Sequence, residues 1–174
     1  MMFLHQSGLA NRIHHLMINN GTMIFGICGG YQMLGNQISD PAEVESSYQM
    51  IEGLGLIPMQ TIMAKDKTTV RSEGIAMIGK ERIHVEGYEI HMGKSTFQKD
   101  YIPLIELSNR YDGAMTSNKK IFGTYLHGIF HNDAFRETIL NEIRMKKGLA
   151  PIRNRASFNH KREEAFDILA QVVR

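Results

Sequence analysis

Apolar positions recur along the chain with two different periods, and each change of period marks an element. Leu9, Ile13, Leu16 and Met17 fall on one stripe at helical spacing, which predicts an amphipathic helix over residues 8–19 that Asn20-Gly21 terminates. Residues 22–27 form a short, unbroken apolar run, the pattern of a buried strand, and residues 29–35 return to a helical pattern closed by Gly35. Helix, strand, sharp turn and helix in that order predict an α/β fold, an open and mostly parallel twisted sheet flanked by helices. From Gly53 to Phe97 the texture changes to β-rich runs at 54–59, 68–78 and 83–91, so some antiparallel strands are expected in the middle of the chain. Further strands are predicted at 104–107, 113–116 and 120–125. Asn132 or Asp133 caps a helix with the stripe Phe135, Ile139, Leu140 and Ile143, and Lys146-Lys147-Gly148 stops it. A last helix, about 161–173, is expected to bury Phe166, Leu169 and Val173. There is no internal repeat and no low-complexity linker, so residues 1–174 read as a single domain.

Composition narrows the function classes. A hydrophobic content of 43% with 22% charged residues is that of a soluble globular protein with a real core. A net charge of +2 is too small to argue for nucleic acid or an anionic membrane as partner. No apolar run approaches the roughly 18 residues of a membrane span. The start, Met1-Met2-Phe3-Leu4-His5, is too short for a signal peptide, so a cytoplasmic location is expected. The single cysteine excludes an internal disulfide and a cysteine-based zinc site.

That cysteine carries the chemistry. Gly26-Ile27-Cys28-Gly29-Gly30 stops an apolar strand at a glycine, presents one thiol and passes two glycines into a helix. A nucleophile mounted on a strand-to-helix turn has this form, as in the α/β-hydrolases, where it is a serine. A free cysteine has a pKa of about 8.5, and the start of the helix near Gly29 is expected to lower it. Gly26 and Gly30 are expected to allow a tight turn and close approach of substrate. The Gly29 backbone N–H is placed to meet an oxyanion. The alternative is a buried structural cysteine at a strand end.

A thiolate nucleophile needs a general acid–base, most often histidine. His127 is the first candidate, at the end of the strand-like run Ile121-Phe122-Gly123-Thr124-Tyr125-Leu126 and followed by Gly128. His131 lies four residues on, but Gly128 argues against a helix that would turn the pair into a metal site. The second candidate is in Gly87-Tyr88-Glu89-Ile90-His91-Met92-Gly93. Strand alternation there puts Glu89 and His91 on one face and Tyr88, Ile90 and Met92 on the other. Two polar residues together between glycines suggest a pocket wall, and a solvated strand face is the competing reading.

Taken together, these strings resemble the class I (triad) glutamine amidotransferases, whose sheet is flavodoxin-like. Gly26, Cys28, Gly30 and Gln32 fit the class pattern G-x-C-x-G-x-Q. GICGGYQMLG, GYEIHMG and GTYLHGIF, in this order, are similar to the C-terminal amidotransferase domain of the cobyric acid synthase branch, and the similarity runs from about Leu4 to the C-terminus. The resemblance implies that Cys28 attacks the glutamine side-chain amide to form a glutamyl thioester. It implies that His127 activates the thiol and protonates the departing ammonia, and that Gly29 supplies an oxyanion N–H. It implies too that Gln32 seats glutamine, with Glu89 and His91 lining or supporting the pocket. Most class I enzymes carry a glutamate two residues after the histidine; here that position is Ile129, which fits the Cys–His dyad of the narrower branch and leaves open what orients His127.

The resemblance also implies partners. Ammonia would pass to a synthetase domain or subunit that uses ATP and magnesium to amidate four side chains of adenosylcobyrinic acid a,c-diamide, giving adenosylcobyric acid. This chain has no G-x-x-x-x-G-K-[ST] phosphate loop and is expected to hold no cofactor or metal itself. Against the family, the synthetase domain, the first strand and the second oxyanion loop are expected to be missing, with self-association through an exposed sheet edge. Alternatives are a glutaminase subunit for another ligase such as a cell-wall amidating enzyme, a different cysteine enzyme on a similar elbow, and a catalytically incomplete fragment.

Overall fold

The computed structural model describes residues 1–153 and 157–173. It opens with α1 (Met2–Gln6) and α2 (Leu9–Asn20), then β1 (Ile24–Ile27) and α3 (Gly29–Leu34). The short strands β2 (Gln37–Ser39) and β3 (Met50–Glu52) lead into a long hairpin of β4 (Met59–Ile78) and β5 (Glu81–Phe97). β6 (Ile105–Leu107), β7 (Tyr111–Asp112), β8 (Ala114–Met115) and β9 (Ile121–Thr124) follow. A 3-10 turn at Ile129–His131 precedes α4 (Asp133–Lys146) and α5 (Phe158–Val172).

The elements form two sheets, and the mixed α/β class is the expected one. One sheet has three strands in the order β1-β9-β8, with β1 parallel to β9 at its edge. The other has six strands and is built on the hairpin. Parallel pairing is confined to β1–β9 and β2–β4 among the described residues, so antiparallel pairing outweighs it. The reason is the hairpin. The runs expected at 68–78 and 83–91 are parts of one 20-residue and one 17-residue strand, joined through Gly79 with φ +65°. The run at 54–59 is not a strand; Leu54 and Ile57 instead bury their side chains beneath α3.

The three-stranded sheet is sandwiched between two apolar cores. Ile24 and Ile121 face Tyr31, Leu34 and Met59, while Phe25 and Phe122 face Leu126, Ile129, Phe135 and Ile139. Ile13 and Met17 of α2 pack on the first core, and Phe135 and Ile139 of α4 on the second, as their stripes predict, but Leu9, at the first position of α2, is exposed. α5 departs from expectation. Phe166, Leu169 and Val173 are exposed, not buried. The helix is held at its first turn, where Phe158 stacks on His131 with centroids 4.0 Å apart and its N–H donates to Asp133 Oδ1 at 2.9 Å. Its apolar stripe follows the local pattern, which cannot say whether another element lies opposite.

Two glycines explain how the turn after β1 is built. Gly26 and Gly123 are register partners on β1 and β9. A Cβ on Gly26 would come within 2.6 Å of the Gly30 carbonyl oxygen, and one on Gly123 within 2.1 Å of the Tyr31 ring. The pair makes a flat place on the sheet, and α3 lies directly on it. Gly30, by contrast, has open space where a Cβ would stand, so packing does not require glycine there.

Candidate active site

Cys28 sits between β1 and α3 at φ 52°, ψ −114°, a positive φ in a residue with a side chain. Such conformations cost on the order of 1–3 kcal/mol and persist where the surroundings enforce them. Here the Cys28 N–H donates to the Thr124 carbonyl at 2.9 Å, and the Cys28 carbonyl accepts from the Gln32 N–H at 3.1 Å, which starts α3. The thiol is directed at β5, where Sγ donates to the Ile90 carbonyl at 3.4 Å.

The thiol pKa moves opposite to the expectation. Burial pushes it up, a hydrogen bond from the Gly29 N–H opposes this, and the charge of Glu45 raises it further. α3 has only six residues, and loss of water together with a nearby carboxylate outweighs the Gly29 N–H at its start.

His127 lies three residues beyond the end of β9, at the same end of the parallel pair as Cys28. It forms a two-way backbone bridge with Tyr88 of β5. The His127 N–H donates to the Tyr88 carbonyl at 2.8 Å, and the Tyr88 N–H donates back at 3.2 Å. The two rings are stacked, with centroids 5.2 Å apart and planes within 4°. Nε2 of His127 is buried and has no hydrogen-bond partner. An orphaned buried nitrogen is rare and calls for a reason, and a base awaiting a proton is one. Thiol and histidine therefore meet the same three-residue stretch of β5, Cys28 at Ile90 and His127 at Tyr88, with no hydrogen bond joining them directly in this structure.

His91, the other candidate base, is differently placed. Its Nδ1 faces the Gly93 carbonyl at 2.9 Å and its Nε2 faces Glu89 Oε2 at 3.4 Å. Both nitrogens point at oxygen acceptors, so neither offers a lone pair to a thiol. The ring stacks on Tyr125, with centroids 3.9 Å apart. Glu89 is buried and accepts from Ser72 Oγ at 2.6 Å and Arg110 Nη2 at 2.5 Å. Burial pushes its pKa up, but the bonds from His91, Ser72 and Arg110 outweigh burial and hold it at about 2. Glu89 and His91 line a cavity of about 350 Å³ with Tyr31, Arg110, Asp112 and Tyr125. Neither Cys28 nor His127 borders that cavity.

A second cavity, of about 410 Å³, opens over Gly29 and Gln32 and is walled by Asp40, Glu45, Ser46, Tyr48 and Met63. Gln32 is buried, with Nε2 donating to the Tyr125 hydroxyl at 3.4 Å. Asp40 builds the loop beside it by accepting from the N–H groups of Val44, Glu45 and Ser46, and these bonds lower its pKa. Gly29 and Gln32 thus border this cavity and Glu89 and His91 the first, while Cys28 and His127 border neither.

The glycines that bracket the β5 motif have separate tasks. A Cβ on Gly87 would stand 2.1 Å from the His127 carbonyl oxygen, and one on Gly93 would stand 2.3 Å from Gln32 Nε2. They let β5 lie against the histidine loop at one end and the elbow helix at the other. One contributor escapes sequence reasoning. Asp112 is buried, accepts from the Thr124 hydroxyl and from the Tyr125 N–H at 3.3 Å, and so braces the strand end that leads to His127. Burial raises its pKa. A lone Asp before a glycine gives no local sign of this. Among the described residues, no group of three or more His, Cys, Asp and Glu side chains is placed to hold a metal ion, and no helix is long and apolar enough to cross a membrane.

The family model for the CobB/CobQ-like glutamine amidotransferase domain matches residues 1–135. Curated relatives include a cobyric acid synthase of Geobacillus sp. (strain WCH70), 48% identical over 174 residues. The match covers 100% of this chain and 35% of that protein. A cobyric acid synthase of Clostridium botulinum (strain Loch Maree / Type A3) is 40% identical over 181 residues, covering 100% of this chain and 36% of its own length. The chain thus spans about a third of the length of these relatives. With three quarters of its residues inside the family model, the chain belongs to the CobB/CobQ-like glutamine amidotransferase domain family.

Proposed function

We propose that this chain hydrolyses glutamine through a Cys28–His127 dyad and supplies ammonia for ATP-dependent amidation of a corrinoid acceptor. The observation that carries this reading is the buried, unpartnered Nε2 of His127 beside the β5 stretch that holds the Cys28 thiol. His127 takes the thiol proton as Sγ attacks the side-chain amide carbon of glutamine. The oxyanion meets the Gly29 N–H, which already reaches the sulfur. The intermediate collapses as His127 returns the proton to the amide nitrogen. The C–N bond breaks, ammonia leaves, and a glutamyl thioester remains on Cys28. Water, deprotonated by His127, then attacks the thioester and releases glutamate and the thiol.

In this reading glutamine occupies the cavity over Gly29 and Gln32. The ammonia is used by an ATP- and magnesium-dependent synthetase unit that converts adenosylcobyrinic acid a,c-diamide to adenosylcobyric acid, late in cobalamin biosynthesis. The names of the relatives and the extra length they carry support this. The test is covalent labelling by a chloroketone analogue of glutamine. One equivalent is expected to attach at Cys28, with glutamine protecting. Attachment elsewhere, or no protection, would count against the reading.

Glu45 offers a further check. Its charge raises the thiol pKa, and it faces the cavity where the substrate's α-ammonium would lie. Glu45→Gln is expected to lower the Cys28 pKa, so a small neutral alkylating agent reacts faster at pH 7. The KM for glutamine is expected to rise about tenfold, the loss of one hydrogen bond to a charged group. Alkylation rates across pH and steady-state kinetics measure the two effects separately.

A further inference from the structure

We propose that Tyr88 is the positioning residue for His127, holding the imidazole by ring stacking and a backbone bridge. This rests on the Cys28–His127 dyad. A catalytic imidazole that swings freely loses its alignment with the nucleophile, and a carboxylate usually fixes it. Among the described residues, no carboxylate does so. The position two residues after His127 is Ile129, which is fully buried in the apolar core. Asp112 is occupied by Thr124 and Tyr125, and Glu89 by Ser72, Arg110 and His91.

Tyr88 fills the place. Its ring lies parallel to the imidazole within 4°, with centroids 5.2 Å apart, an offset stack. The backbones of the two residues are tied in both directions, at 2.8 and 3.2 Å, so the stack is anchored at its base. Gly87 lets the strands come this close, because a Cβ there would stand 2.1 Å from the His127 carbonyl oxygen. Tyr88 is on the same strand as Ile90, whose carbonyl holds the thiol, so one rigid segment sets both partners. A flat face fixes the plane of the imidazole without taking either nitrogen, which fits the unpartnered Nε2. Tyr88 is 46% exposed, so its role is not that of a core residue whose loss unfolds the chain.

The experiment compares Tyr88→Phe and Tyr88→Leu, with Cys28→Ala and His127→Asn as references. Tyr88→Phe keeps the ring and is expected to retain kcat for glutamate release within about threefold. Tyr88→Leu keeps the backbone bridge and loses the stack; kcat is expected to fall roughly 10- to 100-fold, the scale of a misplaced catalytic group, with KM and melting temperature little changed. The His127 ring protons should show an upfield ring-current shift in the wild type and in Tyr88→Phe that disappears in Tyr88→Leu. Where turnover is too slow to rank the variants, the rate of Cys28 alkylation by the chloroketone ranks them instead. Equal rates in Tyr88→Leu and wild type, with both dyad variants inactive, would overturn the positioning role alone. An equal loss in both Tyr88 variants would assign the effect to the hydroxyl and overturn the stacking role. Glutamate release that survives Cys28→Ala or His127→Asn would remove the dyad reading and this proposal with it.

Discussion

His127→Asn is expected to lower kcat for glutamate release by about 10³- to 10⁴-fold, while His91→Asn leaves the chemistry largely in place and lowers stability. General acid–base catalysis by a positioned side chain contributes roughly 10²–10⁴ in rate. In the proposed reaction His127 acts twice, once to take the thiol proton and once to activate water. The demand is heavier here because the thiol pKa is raised by burial, so little thiolate forms unaided. Asparagine preserves polarity and much of the volume but cannot take up a proton. Cys28→Ala removes the nucleophile and is expected to reach the same floor, and the double variant should be no worse than either single one, because the two residues act as a unit. His91 holds Glu89 and the Gly93 carbonyl, so its replacement is read in melting temperature. Steady-state glutamate release with thermal melts on all four variants decides the matter. Loss of turnover in His91→Asn with normal activity in His127→Asn would reverse the assignment.

The sequence carried the site in proportion to how local each part is. The elbow is legible because Gly26, Cys28 and the helix after it lie within one stretch, and the same holds for His127, three residues past β9. The bracketing glycines of the β5 motif were legible as a signal, but their purpose was not. Gly87 is shaped by the His127 backbone and Gly93 by Gln32, contacts made across 40 and 61 residues of sequence. Alternation correctly put Glu89 and His91 on one face of the strand, yet could not say that this face looks into a different cavity from the one over Gly29. The sequence predicts the wrong sign for the thiol shift because a helix start is visible in sequence, whereas burial and the charge of Glu45 arise from tertiary packing. The length of the β4–β5 hairpin escaped for a related reason. Its middle, residues 64–67, breaks the apolar pattern at a register shift between Met63 and Thr68, and these four residues have no register partner on β5. α5 shows the reverse limit, an apolar stripe whose existence is local and whose burial is not.

Glu89→Gln is expected to cost about 2–3 kcal/mol of folding stability at pH 7 and only a small part of that near pH 2. Glu89 is buried, and its pKa falls from the usual 4.5 to about 2. A carboxyl whose folded pKa is depressed contributes stability that is fully present above 4.5 and is lost as pH falls toward 2, because the unfolded chain takes up the proton first. The shift corresponds to roughly 3 kcal/mol. Part is screened, since the Arg110 side chain is about half exposed. Glutamine keeps the shape and can still accept from Ser72, but it cannot balance the charge of Arg110 or bind both partners as an anion. Urea denaturation from pH 7 to 2.5 reads the effect. Wild type and variant should differ most at neutral pH and converge in acid, and parallel curves would show that the charge of Glu89 does not stabilise the fold. The consequence reaches the chemistry because Glu89 lies between Tyr88, which stacks on His127, and Ile90, which holds the thiol. A buried anion pinned by Ser72, Arg110 and His91 fixes the strand at the one residue between those two contacts, so the variant should also lose kcat at temperatures well below its melting point.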